Sequence, residues 1–366
     1  MNTTRVALTI DDGEIQRLFE HAFDSGWTDG LPTVPCTEEA VQRFLQHTDR
    51  DPDEVMLEMT HLNRSCTVRS AAITAVMAGC KPEYFPVVLA AWDAVREDSY
   101  AAVGMWQSTT GIATMLVVNG PVRHRIGMNS GSNIFASGFR ANATIGRALR
   151  LAAINVFGLA PGVMDQSTQA TPAKYSMCLA ENEENSPWPS FATELGHPEG
   201  ASTVGAIHMR SVAHIEARCA TTAEQLLHDI AGTLTRTGGL LQPTNCSCLV
   251  LSPEHAHFLA DRGWDKPRVR EFLFENAVVP VDVLARVGKD GLSRRQSLRL
   301  PSAHADAVAD DHAEGGRLRV LATPDRVNIV VAGAPNSGIS AVVEGHGAGV
   351  YPPATAVVEE RSGASA

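Results

Sequence analysis

Three short aliphatic runs each deliver the chain into a polar turn, and this pattern limits the fold more than any other feature. Leu116-Val117-Val118 runs into Asn119-Gly120-Pro121, Cys248-Leu249-Val250-Leu251 into Ser252-Pro253-Glu254-His255, and Ile329-Val330-Val331 into Ala332-Gly333-Ala334-Pro335-Asn336. Short apolar runs bounded by turn residues read as buried strands. Segments of helical period lie between them, so the chain is expected to be α/β: a mixed sheet with flanking helices, its strand-exit loops forming the site. Ligands in such sheets gather beyond strand ends where loops diverge, which predicts that the three turns share a site. The plainer alternative is three ordinary strand exits.

The helical segments carry recognisable starts and stops. Ile15, Leu18, Phe19 and Ala22 share one face, with Asp11 or Asp12 as cap, before Gly26 to Pro32 breaks the helix. Thr37-Glu38-Glu39-Ala40 opens a second helix, running to about His47. Residues 65–95 read as two helices, one ending at Gly79 and one starting near Pro82. Ile112 to Val118 reads as a strand, and Asn142 and Thr144 lead into a long apolar helix that Gly158 ends. Further strands are predicted at 202–209, 318–322 and 327–332, and a helix at about 221–234. Ser252 with Pro253 starts one more helix, and Asp265 caps the next. The organisation expected is a helical segment at 1–50, an α/β region at 51–200 and a second one packed on it at 201–357. Residues 286–316 read as a polar excursion and 358–366 as a disordered tail.

Composition narrows the partners. Of 366 residues, 44% are hydrophobic and 19% charged, enough apolar surface for a large core. A net charge of −11 repels a phosphate backbone, so nucleic acid is not an expected partner; the local basic groups are Arg123/Arg125 and Arg140/Arg147/Arg150. No run of 18 apolar residues predicts a membrane span, and no apolar signal core opens the chain, so a cytoplasmic location is expected. The cysteines at 36, 66, 80, 178, 219, 246 and 248 are scattered and odd in number, which fits reduced thiols. The partner expected is a small-molecule substrate, with homo-oligomerisation left open.

Several motifs taken together carry a family resemblance. They are Gly26-Trp27-Thr28-Asp29-Gly30-Leu31-Pro32, Met77-Ala78-Gly79-Cys80-Lys81-Pro82-Glu83-Tyr84-Phe85-Pro86, Asn129-Ser130-Gly131 and Arg140-Ala141-Asn142-Ala143-Thr144-Ile145-Gly146-Arg147. Gly162-Val163-Met164-Asp165, Lys174-Tyr175, Ala180 to Glu184, Pro253 to Ala256, Asp261 to Trp264 and Val331-Ala332-Gly333 continue the set. Across most of residues 26–335 the chain resembles a bacterial family related to the UGSC-type (seleno)proteins. The resemblance implies no particular reaction. The Sec-Gly-Ser-Cys motif of the relatives is absent, which removes the ground for selenol-like redox chemistry, and Cys246-Ser247-Cys248 stands where the family's strand is usually aliphatic.

Four constellations carry candidate chemistry. In the loop-to-helix junction at 129–147, Asn129, Ser130, Asn133, Asn142 and Thr144 offer hydrogen bonds, and Arg140 and Arg147 a bidentate clamp for an anion at a helix start; Asn119 joins them from its turn. A capped structural turn is the competing reading. Lys174, Tyr175, Glu181, Glu183 and Glu184 supply acid/base groups, and glutamates in an irregular loop can hold a divalent metal; a solvated acidic loop is the alternative. His255 stands in the first turn of a capped helix after a strand, where the helix N-terminus favours its neutral form; packing is the competing role. Cys246 and Cys248 share a strand face, roughly 6.5–7 Å apart, a spacing better suited to one soft metal than to a disulfide, or to two buried apolar residues. Cys80 is a further candidate thiol.

The inventory is met most simply by an enzyme of lyase or isomerase type, with His255, Lys174, Tyr175 and Glu181 doing acid/base work on a small polar or anionic metabolite. A cysteine- or metal-dependent redox enzyme and a non-catalytic binding protein are the alternatives.

Overall fold

Single side chains set several of the helix starts in the computed structural model, which describes residues 12–97, 104–236, 245–287, 317–336, 338–346 and 352–361. Helix α1 spans Asp12–Asp24 and α2 Glu38–Leu45, the latter begun by Thr37, whose hydroxyl accepts from Ala40 N. Strands β1 (Val55–Met59) and β2 (Arg64–Thr67) form an antiparallel hairpin. Thr67 then caps α3 (Val68–Ala78), and Gly79 ends it in the left-handed conformation. Helix α4 (Phe85–Glu97), strand β3 (Ala113–Asn119) and the single turn α5 (Val122–Arg125) follow. Next come α6 (Arg140–Asn155), β4 (Cys178–Ala180), α7 (Phe191–Glu194), β5 (Thr203–Glu216) and α8 (Ala223–Arg236). Strand β6 (Asn245–Leu251) leads into α9 (Pro253–Ala260), and Asp265 caps α10 (Lys266–Asn276). The chain continues through β7 (Val278–Pro280), α11 (Val281–Arg286), β8 (Arg317–Arg319), β9 (Val327–Val331), β10 (Ile339–His346) and β11 (Thr355–Val357).

The fold is α/β, built on one mixed seven-stranded sheet of order β4-β3-β5-β10-β6-β9, with β11 added to β5. Strands β3/β4 and β6/β9 pair in parallel, and the remaining pairs are antiparallel. The first half of β5 pairs with β3 and its second half with β10, so residues 51–200 and 201–357 share this sheet. The sheet curls until its two ends meet: Asn182 N, just past β4, donates to Val331 O of β9 at 2.7 Å.

Curling explains why the strands are apolar without alternation. Side chains of a strand point alternately to its two faces, and here both are covered. Met115, Val117, Leu179, Ile207, Met209, Cys248, Val250, Val330 and Val343 pack inside the curl. Leu116, Val118, Val204 and Ala206 pack outward with α3, α4 and α6. Leu249, Leu251, Ile329 and Val331 pack outward with α8, α9 and α10. Among the described residues no helix is long and apolar enough to cross a membrane.

Several boundaries differ from the sequence expectation. Helix α6 begins at Arg140 with no side-chain cap, so Asn142 and Thr144 lie inside it rather than leading into it. Strand β5 runs on to Glu216, because its polar second half still finds a partner in β10. The β1–β2 hairpin was not legible as strands. Of the expected disordered tail, residues 358–361 are ordered: Val358 is buried with its N–H on Ser202 O, and Arg361 donates to Gln46 O. Residues 362–366, like most of the 286–316 excursion, lie outside the described residues.

Candidate functional site

The irregular segment before β4 is held in shape by its backbone. Gln166 N donates to Gln107 O and Thr168 N to Thr109 O, tying it to the polar loop before β3. Gly111, at a φ of 76°, lies so close that a Cβ there would stand 2.6 Å from Ala170 Cα. Ala170 itself has a φ of 61°, a left-handed conformation that costs a non-glycine residue roughly 1–2 kcal/mol. Thr171 then caps a short 3-10 turn, Pro172–Lys174. The result is a fixed direction for one side chain, that of Lys174.

Lys174 Nζ donates to both carboxylate oxygens of Asp165, at 2.8 and 2.6 Å, and to Ser167 Oγ at 2.6 Å. Ser167 Oγ also donates to Asp165 Oδ1 at 2.5 Å, and Arg150 of α6 donates to Oδ2 at 2.8 Å. These groups line a cleft of about 630 Å³ with Asp29, Gly30, Pro161, Gly162 and the half-exposed Tyr175. That volume suits a small molecule. Burial pushes the Lys174 ammonium below its ordinary pKa, and Asp165 opposes the shift. Burial resists ionisation of Asp165, but the hydrogen bonds from Lys174 and Ser167 and the charges of Lys174 and Arg150 outweigh it, holding the carboxyl at about 2.

The other expected catalytic residues stand elsewhere. Glu181 is fully buried where the sheet closes. Its Oε2 accepts from Asn119 Nδ2 at 2.6 Å and Phe191 N at 2.7 Å, and its Oε1 from Val331 N at 3.3 Å. Burial pushes its carboxyl up, while Lys266, 4.0 Å away, favours the charged form. The exits of β3 and β9 thus meet on Glu181, which acts as a clasp between them. His255 is buried in the first turn of α9, with Nδ1 2.7 Å from Ser340 Oγ. It lines a separate cleft of about 260 Å³ with Arg218, Glu254, Phe258 and Gly338, sharing no residue with the Lys174 cleft. Burial lowers its pKa, against the nearby Glu254 charge. The expected grouping of His255, Lys174, Tyr175 and Glu181 therefore reduces to Lys174 and Tyr175.

Most of the polar groups at the 129–147 junction bond within the chain. Asn142 accepts from Asn129 N and donates to Asn129 O and Cys178 O. Asn129 closes a turn through Gly131 N and Ser132 O, Ser130 O accepts from Gly333 N, and Asn133 takes a φ of 60°. Thr144 bonds back to Arg140 O. Arg140 donates to Gly79 O at the end of α3, and Arg147 pairs bidentately with Asp29 at 2.8 Å while reaching Leu31 O and Pro32 O. The expected anion clamp is a set of internal braces, because each guanidinium meets a carbonyl or carboxylate from a distant part of the chain.

The metal candidates are also engaged. Glu183 accepts from Gly120 N and Asn119 Nδ2, with Arg123 3.3 Å away. Arg123 also pairs with Glu184, whose carboxyl burial would raise; the Arg123 and His124 hydrogen bonds hold it at about 2. Cys246 and Cys248 are buried in β6, and burial pushes the Cys248 thiol well up. Cys80 is buried, its thiol pushed up to about 12. Among the described residues no three His, Cys, Asp or Glu side chains gather as a metal site.

The chain matches no protein-family model and no curated protein.

The two hydrogen-bond partners of Lys174 were not among the candidate site residues: Asp165 stood only in the Gly162–Asp165 motif, Ser167 nowhere, and Arg150 only as one of a basic group. Asp165 and Ser167 precede Lys174 by nine and seven residues, and no regular helix or strand spans 165–174 to bring them together by periodicity. The Asp-x-Ser turn, with Ser167 N on Asp165 Oδ1, was the one local signal.

Proposed function

We propose that the chain is an enzyme that moves protons on a small polar or anionic metabolite, in lyase- or isomerase-type chemistry, with Lys174 as the acid/base group. The observation that supports this is Lys174 itself: a largely buried amine at a cleft wall, aimed by two short bonds to Asp165 and one to Ser167. A lysine becomes a useful base when burial lowers its pKa toward neutrality, and the shift here has that direction. In the deprotonated state Nζ takes a proton from substrate. Asp165, held ionised by the hydrogen bonds from Lys174 and Ser167 with Arg150 adding its charge, stabilises the ammonium that forms, and Ser167 fixes the amine's direction. Tyr175, half-exposed in the same cleft, supplies a second group able to give a proton to substrate.

The test is proton exchange. Small hydroxy and keto acids are incubated with the protein in D₂O, and loss of carbon-bound proton signal is followed by NMR. A compound that exchanges should exchange roughly 10²–10⁴-fold more slowly with K174M, the range of a lost general base, while K174M unfolds at a temperature close to wild type. A full rate in K174M, or binding of panel members with no exchange by wild type, overturns the reading; the second outcome describes a binding protein.

A further inference from the structure

The Lys174 cleft carries an unbalanced charge. Two cations, Arg150 and Lys174, share one carboxylate, Asp165. The other acid in the lining, Asp29, is already neutralised by Arg147. With Lys174 protonated, as in the ion pair with Asp165, the set sums to one positive charge, held on side chains that are only 13% and 11% exposed. Partly buried charge is costly unless a counter-charge reaches it. Arg150 is also under-used. Among the described residues its guanidinium makes one side-chain hydrogen bond, from NH2 to Asp165, although a guanidinium has five donors. The side chain lines the cleft from α6, beside Lys174.

We infer that this cleft takes a small monocarboxylate, its carboxylate lying on the unused donors of Arg150 and completing the charge balance. The inference rests on the proposed acid/base role of Lys174 and names the class of its substrate. The single positive charge of the cleft with Lys174 protonated matches a carboxylate monoanion, whereas the phosphate dianion leaves it negative. The planar fork of arginine also matches a carboxylate in two parallel bonds. A carboxylate held at Arg150 sets the neighbouring carbon of the same molecule toward Lys174, and protons on that carbon are the ones such a base can remove.

The experiment measures binding apart from turnover. Acetate, propionate, glycolate and lactate, and inorganic phosphate as the contrasting arm, are titrated into the full chain by calorimetry and by NMR shift. At least one carboxylate should bind more tightly than phosphate. R150M should weaken it at least tenfold, and R150K, which keeps the charge and loses the fork, should fall between. Melting curves check that both variants fold; if R150M does not, R150K carries the test through a loss of at least threefold. Wild-type affinity in folded R150M, or phosphate binding at least as tight as every carboxylate, overturns the inference. Carboxylate binding lost in R150M with no Lys174-dependent exchange in wild type refutes the acid/base reading alone. Exchange that depends on Lys174 but survives R150M refutes the carboxylate seat alone.

Discussion

Replacing Glu181 should damage stability rather than chemistry, and the size of the damage can be worked from its contacts. The carboxylate is 0% exposed, and Oε2 accepts two short bonds, from Asn119 Nδ2 and Phe191 N. Each buried donor left without an acceptor costs roughly 1–3 kcal/mol, so E181A strands about 2–6 kcal/mol from these two alone. The longer bond from Val331 N and the nearby Lys266 ammonium add to the loss. Relief of the burial cost that raises the Glu181 pKa subtracts from it. We expect a net loss of about 4 kcal/mol, a large part of a typical domain's 5–15 kcal/mol. E181Q can turn its amide oxygen to the Oε2 position and keep both short bonds, so its loss should be about half as large. Urea denaturation followed by far-UV circular dichroism, with the slope checked for two-state behaviour, gives both numbers. A loss under about 1 kcal/mol in E181A, or an E181A more stable than E181Q, would refute the clasp.

Other consequences are equally direct. Asp165 has a folded-state pKa lowered from 3.8 to about 2, so its contribution is present above the unfolded value and lost as pH falls through the folded one. Wild type should therefore lose on the order of 2 kcal/mol between about pH 4 and pH 2 that D165N does not; equal acid sensitivity of the two would contradict the pairing. Only Cys36 and Cys219 are exposed, so a thiol reagent should titrate these two before the buried five in native protein and all seven in denaturant, with burial and Glu38 raising the Cys36 thiol pKa and slowing it. G120A should fail to fold or lose several kcal/mol, since its φ is 80° and a Cβ would lie 2.3 Å from Ala201 O; a melting temperature within a few degrees of wild type would show that the turn can open. H255Q should leave Lys174-dependent exchange intact, because the two side chains line separate clefts.

The strands and most helix starts were readable because their causes are local. Leu116 to Val118 and Ile329 to Val331 are apolar because both faces of a curled sheet are covered, and Thr37, Ser252 and Asp265 cap the helices they precede. Lys174 and Tyr175 were also found locally, as polar side chains in a shaped loop. What could not be read is which polar group satisfies which. Arg147 meets Asp29 across 118 residues, and Glu181 meets Val331 across 150. A sequence offers donors and acceptors without saying whether a ligand or the chain itself will use them. That is why the 129–147 junction resembled an anion cradle and proved to be bracing, and why Asp165 gained its meaning only beside Lys174 and Arg150.

The clasp has a timing consequence for synthesis. Glu181 leaves the ribosome 150 residues before Val331, the donor that closes the sheet on it. At about 5–20 residues per second, translation leaves that interval open for roughly 8–30 s. Throughout it β3 and β4 have no β9 to close against, and the apolar residues destined for the inside of the curl face water. Passing Val331 is not enough to bury them, because β10 (Ile339–His346), the strand that joins β5 to β6, is made later still. The contact that closes the sheet on Glu181 therefore waits on nearly the whole chain.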